Sequence, residues 1–460
     1  MTLRWLPLHD GLTCQQVVFP NNFQEVVLMM KPKKLSLAIA GACAFLGASA
    51  ANAGIGFKAG EWDLDFSGNV NAFYTYASCD DSTAVVAGGL ACSGGGEPVS
   101  VRSGLLPSAL VLSAKSRQGA FDVGVTLGFY PGINSVTADG GGNANSPGSP
   151  IALGTTGIDM RQNFLTFGDA SWGTIKMGRD IGLFGSDAIL SDMTLLGVGS
   201  TSTNAAPSNT SLGRIGLGYV YTDWIPQITY STPKLQDFGF LGGPQLSVSV
   251  MTPLNAGSTG TTATGDPLNY TANETPMFQA KLAFDYGAAA GSPGLGGKIW
   301  ASGLYQQNEL TPGVAVAGFN DEIDSWGVDG GFKANLGILE GVVYSYYGKG
   351  LGTIGLFILA ADNTGAERKS YGGYGQLAAK LGATKIGVSY GTSRLSETDA
   401  DRAALGGVLL KNNESYVVGV YHALTKSLNL VAEYIRTNSE NHIGSEIEED
   451  AIAVGAILFF

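Results

Sequence analysis

The sequence predicts an all-β fold, a 16-stranded antiparallel transmembrane β-barrel with short periplasmic turns and long outer loops. Three observations predict it. Charged residues make up 14% of the 460-residue chain, against about 25% in a soluble domain, whereas Gly occurs 68 times, Tyr 18 and Phe 20. No apolar run in the body of the chain reaches the ~18 residues of a spanning helix. Instead, segments close to the ~9–11 residues that cross a bilayer obliquely as strands recur, and their polarity alternates residue by residue.

Residues 278–286 (FQAKLAFDY) carry large apolar side chains at most even positions and polar ones at most odd positions. Residues 326–336, 121–129 and 245–250 repeat the pattern. Successive strand side chains point to opposite faces, so one face is apolar and the other accepts Lys281, Asp285, Asp329 and Lys333. Bilayer-length segments and a polar face rich in small residues place lipid on the apolar side and water on the other.

Taken in order, the segments lie near 61–77, 101–116, 120–130, 161–168, 173–179, 224–232, 244–252, 276–287, 297–309, 323–336, 340–349, 371–381, 383–394, 414–424, 427–436 and 447–460. Residues 215–220 leave room for one more strand. Short links at 117–119, 169–172, 337–339, 382 and 425–426 alternate with long ones at 78–100, 131–160, 180–223, 252–275, 309–322, 350–370, 395–413 and 437–446. Links 233–243 and 287–296 are longer than simple turns. Short turns on one side and long loops on the other are the outer-membrane pattern. The longest polar link, 180–223, keeps Ile181, Leu183, Phe184, Ile189, Leu190, Met193, Leu195 and Leu196 among three aspartates, a mixture that suits a loop folded into a cavity.

Ahead of the barrel, residues 30–53 read as an export signal. Met30–Lys34 is basic, 35–46 is apolar, and Ala51-Asn52-Ala53 is a small-x-small cleavage site. Residues 1–29 lack export character and read as an extension from an upstream start codon, which leaves 54–460 as the barrel. Four basic residues (Arg4, Lys31, Lys33, Lys34) and two acidic ones (Asp10, Glu25) fall in 1–53. Subtracting them from 26 and 38 leaves 22 basic and 36 acidic residues, a net charge of −14. That sign argues against a nucleic-acid partner. Cys79 and Cys92 remain, and in an oxidising compartment pairing across the first outer loop is expected. His422 and His442 stand apart from any nucleophile pattern, and no Cys/His grouping has metal-ligand spacing. No cofactor and no metal are expected. Acidic residues near 446–450 suit a solvated rim beside outer-leaflet lipid.

Two regions carry a resemblance. Gly178-Arg179-Asp180-Ile181-Gly182, Ser186-Asp187-Ala188 and Ser191-Asp192-Met193 resemble the start of the third loop in general trimeric porins of Gram-negative outer membranes. Residues 416–421 and 428–434, with a chain ending on Phe460, resemble that family's last strands. Where the family commonly has Pro-Glu-Phe-Gly-Gly this chain reads Leu195-Leu196-Gly197-Val198-Gly199, so the family's glutamate is missing. The resemblance implies a homotrimer in outer-membrane lipid and lipopolysaccharide, whose Phe460 is read by the assembly machinery. It further implies a pore for small hydrophilic solutes and ions, narrowed by an inward third loop.

On that reading Asp180, Asp187 and Asp192 belong to the constriction loop, with Asp192 nearest the narrowest point. Lys115, Arg117, Lys176 and Arg179 are candidates for the facing basic wall, and a mild cation preference follows. A solute-specific channel and a barrel-type outer-membrane enzyme are the alternatives.

Overall fold

A computed structural model describes residues 54–460 except 81, 94–98, 134–157, 202–208, 236–241, 261–267, 273, 288–293 and 312–317. The expected export signal and upstream extension, 1–53, lie outside the described residues.

Among the described residues the strands are β1 (Ile55–Ala59), β2 (Trp62–Cys79), β3 (Val99–Arg102), β4 (Ala109–Gln118), β5 (Phe121–Pro131), β6 (Ile158–Asp169), β7 (Gly173–Ile181), β8 (Trp224–Ser231), β9 (Gln245–Met251) and β10 (Tyr270–Ala272). They continue with β11 (Met277–Gly287), β12 (Leu295–Leu310), β13 (Glu322–Leu336), β14 (Leu339–Lys349), β15 (Lys369–Leu381), β16 (Thr384–Leu395), β17 (Leu410–Ala423), β18 (Leu428–Asn441) and β19 (Glu446–Phe459). Two short helices, α1 (Ser186–Ser191) and α2 (Asp399–Leu405), sit in loops. No helix among the described residues is long and apolar enough to cross a membrane.

The strands form one sheet that closes on itself. β19 returns antiparallel to β2, from Glu449 opposite Cys79 to Phe459 opposite Asn69. Closure is demanded by the solvent: an open edge in hydrocarbon leaves backbone N–H and C=O groups unpaired. Nineteen strands make sixteen staves because three are partial. β3 and β4 both pair with β2 and are two pieces of one stave. β10 extends the outer end of the sheet beside β12. β1 pairs with the start of β2 below the point where β19 ends. The amide and carbonyl of Phe460 bond to Gly68 there, so the two ends of the barrel share one lane.

The alternation follows the solvent. Val343 is 64% exposed on the outer face while the next residue, Tyr344, is 2% exposed on the inner one. Val328, Leu377 and Val388 are likewise exposed beside buried Asp329, Gln376 and Ser389. Tyr305, Trp326, Tyr347, Tyr371, Tyr390, Tyr416 and Tyr434 form an outward aromatic belt near the loop end. Tyr390 and Tyr416 have ring centroids 4.7 Å apart, and Tyr434 donates to Asp450 at 2.6 Å. Such rings suit a membrane interface, apolar on one side and wet on the other.

Beyond shifts of a few residues at strand ends and the short β10 inside the link expected at 252–275, the sequence-based boundaries differ from the structure in three places. The stave expected at 101–116 breaks between Arg102 and Ala109, because Pro107 has no N–H for the ladder and Leu105 and Leu106 turn into the barrel. Residues 55–59 pair as β1 although no strand was expected before 61. Residues 215–220 do not form a strand; they are a buried turn in which Leu217 donates to the Arg214 carbonyl at 3.0 Å.

Loops fill the outer half of the barrel. Leu90, Leu217, Tyr219, Ala256, Leu351 and Phe357, from four different loops, share one buried apolar cluster. Inward wall residues at that level, among them Gln306, Ser325, Ser393 and Asn413, are fully covered. Cys79 and Cys92 form a disulfide with Cα atoms 5.8 Å apart, which ties the first loop to the rim. Over the mouth, Arg368 donates to both carboxylate oxygens of Asp401 in α2 at 2.8 and 2.5 Å, and this pair is completely buried. Thr398, which caps α2, donates to Asp362 at 2.5 Å.

Two predictions follow from this architecture. Burial pushes the Asp362 carboxyl up, but hydroxyl donors from Thr398 and Thr364 and the amides of Thr364 and Ala366 outweigh it and hold the group below the usual range. A depressed carboxylate contributes stability above its unfolded value, about 3.9, and that contribution is lost as pH falls through the lower folded value. Hydrogen exchange of residues 398–405 should therefore stay slow from pH 7 to the ordinary carboxylate range and quicken below it; quickening near neutrality would contradict this. Deleting Phe460, whose ring lies 5.8 Å from that of Phe66, should lower the yield of heat-resistant barrel far more than it alters the conductance of barrels that form. A normal yield would count against that role.

Candidate pore constriction

From the end of β7 the chain enters the lumen, and its root is closed by the Gly182 amide donating to the Asp223 carbonyl at 3.0 Å. Backbone groups leaving water must find partners, and side chains of the inner wall supply them in sequence. Gln279 on β11 accepts from the amides of Leu183 and Phe184 at 2.7 and 2.9 Å. Asp329 on β13 accepts from Gly185 at 2.8 Å. On β15, Tyr374 donates to the Ala188 carbonyl at 2.7 Å, and Gln376 accepts from Met193 while donating to Ser191. Glu433 on β18 accepts from Val198 and Gly199 at 2.8 and 2.9 Å. Thr201 then donates to Glu449 on β19. The loop is thus fastened inside the barrel from β11 to β19.

Small residues permit the close approach. A Cβ on Gly197 would lie 2.2 Å from Glu433 Oε1. A Cβ on Gly387 of the wall would lie 2.7 Å from the sulfur of Met193. A side chain at either position would displace the Glu433 carboxylate or the Met193 sulfur.

The structure distributes the expected constriction residues as follows. Asp180 is buried at the end of β7 and accepts from Lys176 at 2.5 Å and Gln162 at 3.1 Å. Asp187, in α1, is buried between Lys281 at 2.9 Å and Lys298. Asp192, expected nearest the narrowest point, instead turns into the loop's own core. One oxygen caps the 3-10 turn Met193–Leu196 by accepting from Thr194; the other accepts from the Tyr219 hydroxyl at 2.9 Å.

Of the basic candidates, Lys115 and Lys176 lie on the inward face. The register joins them through Gly124 and Thr166 in one row across β4 to β7. Arg117 does not belong to that wall: it sits at the periplasmic turn, bound to Asp122 at 2.9 Å and Asp169 at 2.8 Å. Arg179 is exposed on the outward face with Met177, because it lies three positions on from inward Lys176 and a strand changes face at every residue.

Sequence reasoning put Lys281 and Lys333 on the polar face without naming them as site residues, and it passed over Lys298, Lys385 and Glu340. Lys281 and Lys298 hold Asp187, and Lys333 and Lys385 hold Glu340 at 3.7 and 3.5 Å. Their signal was present as single charges on the polar face of otherwise apolar strands. The one grouping of possible metal ligands among the described residues is Cys79, Cys92 and Glu449. Its sulfurs are bonded to each other, and its carboxylate accepts from the Cys92 amide at 2.7 Å.

A sequence profile described as Gram-negative porin matches residues 37–442. Comparison with curated proteins finds no match. Among solved structures, the outer membrane channel DcaP of Acinetobacter baumannii superposes with a TM-score of 0.59 at 18% identity, covering 88% of this chain and 99% of that one. The anion-selective porin from Comamonas acidovorans gives 0.51 at 14% identity, covering 87% and 100%. At these identities the likeness concerns the fold.

Replacing Gly197 by Val should push the loop off Glu433. Barrels should still assemble, with altered single-channel conductance and faster exchange of the Val198 and Gly199 amides. Unchanged conductance and exchange would mean that the loop's seat does not depend on this contact.

Proposed function

We infer that this chain, which belongs to the Gram-negative porin family, forms a water-filled channel in the outer membrane through which small hydrophilic solutes and ions diffuse passively. The observation that carries this reading is the third loop, fastened across the lumen by wall side chains from Gln279 to Glu449. A loop so held narrows a pore without moving parts. Below it the inner wall keeps charged side chains within reach of water: Lys281, Lys298, Lys333, Lys385 and Glu340. Such a wall lets hydrated solutes pass and sorts them by size and charge.

The chain is proposed to work as a homotrimer in lipid and lipopolysaccharide, delivered by the outer-membrane assembly machinery; family membership supports this. The mild cation preference expected from the loop aspartates needs carboxylates that water reaches. Asp180, Asp187 and Asp192 are all buried and engaged, so that preference lacks support from their surroundings. An enzyme reading finds no support in the described histidines. His422 shares a hydrogen bond with Thr384 at the periplasmic end of β17, and His442 bonds the Leu395 carbonyl in a loop.

Planar-bilayer recording of purified protein tests the reading: stepwise currents, in threes for a trimer, are expected. No conductance from folded, heat-resistant protein would overturn it. Because residues 209–223 help to fill the outer half of the barrel, replacing them with a short Gly/Ser linker should raise single-channel conductance several-fold. An unchanged conductance would show that this segment does not limit the flow.

A further inference from the structure

We propose that the periplasmic half of the lumen holds a lysine-lined site for small anions, carboxylates and phosphate among them, and that the channel therefore favours anions over cations; this rests on the channel reading above. Lys281, Lys298 and Lys333 lie on the adjacent staves β11, β12 and β13, and the register sets Lys298 directly opposite Lys333. Like charges directly opposite repel, and the wall relieves this only in part. Among the described residues, the carboxylates within ion-pair reach of these lysines and of Lys385 are Asp187 and Glu340. Lys281 and Lys298 bind Asp187; Lys333 and Lys385 bind Glu340. Four ammonium groups on two carboxylates leave two positive charges.

At the Asp187 end water meets the cations more than the anion, while Glu340, 27% exposed, shares the water with its two lysines. The lysine side chains are 18 to 33% exposed, while Asp187 is 6% exposed beneath them. Asp285 lies opposite Lys298 in the register but is bonded to Lys234 at 2.7 Å, and Asp329, like Glu433 on β18, is turned to the loop and occupied. Asp329 accepts from Gly185, Ser302 and Tyr344; Glu433 accepts from Val198, Gly199 and Tyr421. Three staves from β11, Lys176 is 18% exposed above its buried partner Asp180. The chain's acidic balance does not cancel this, because charges beyond about 8 Å are screened at physiological salt.

The test is the zero-current potential of single channels in a KCl gradient. The wild type should lie on the anion side. Lys298→Gln with Lys333→Gln leaves one lysine for each carboxylate, so it should remove most of that displacement; Lys298→Arg with Lys333→Arg should keep it. Lys411→Gln, which removes an ammonium paired with Glu440 at the outer rim, should leave it unchanged. Millimolar inorganic phosphate should reduce the chloride current of the wild type more than that of the Gln variant. Channels whose wild-type potential lies on the cation side, or a Gln variant as anion-selective as the wild type, would overturn the proposal while leaving the channel reading intact. Absence of channels altogether would overturn the channel reading first.

Discussion

Everything inside this barrel depends on one constraint: a loop taken out of bulk water must have its backbone amides bonded. The wall answers with carboxylates and carboxamides whose oxygens are acceptors. Gln279, Asp329, Gln376 and Glu433 each receive one or two amides from residues 183–199. Gln279 and Glu433 each collect two amides, so they are the firm points of the seat. A strand supplies them well, because alternate residues face the lumen at a fixed spacing and the closed ladder holds them still. Gly197 belongs to the same solution, since only a residue without Cβ brings its backbone onto the Glu433 carboxylate.

The seat divides the lumen into unlike halves. Above it, apolar side chains from the first, third, fourth and sixth outer loops pack into one core, and burial of that area holds the loops as it would in a soluble domain. The disulfide at the rim and the Arg368–Asp401 pair fix the periphery. A buried ion pair is not in itself a source of stability against an apolar alternative; its value here is directional, since two oxygens on one guanidinium define how α2 meets residues 359–368. Below the seat the wall keeps its lysines and Glu340 in water. The acidic and basic residues of the lumen thus differ in task, the buried acids holding backbone and the exposed lysines facing solutes.

Much of the barrel was legible in the sequence because strand side chains alternate and lipid imposes one polarity on one face. Sixteen staves, their order and the alternation of short and long connections follow from that rule alone. The broken stave at 103–108 was not legible, since Leu105 and Leu106 read equally well as lipid-facing residues; the third loop, and for Leu106 also Ile457 and Phe459 of β19, give them partners inside. Arg179 shows a limit of motif matching: its position in a family-like string suggested the lumen, while strand parity with Lys176 sends it outward. Parity was available from the sequence and is the stronger argument. Asp192 was different in kind. Its turn toward Tyr219 depends on the loop folding back over itself across 27 residues, and no local pattern announces such a return.

The sign of the lumen's charge follows from that division of tasks. The acidic composition argues for cations only if acids stand where ions pass. A carboxylate is the side chain best suited to collect amide donors, so those in the interior of this barrel are drawn to the loop and buried by it. An ammonium group cannot accept from an amide and has no place in such a seat. It stays at the water boundary, with its stem along the wall and its charge outward. Folding an inward loop over acidic acceptors therefore sorts the charges by chemistry, leaving the accessible wall more basic than the chain as a whole.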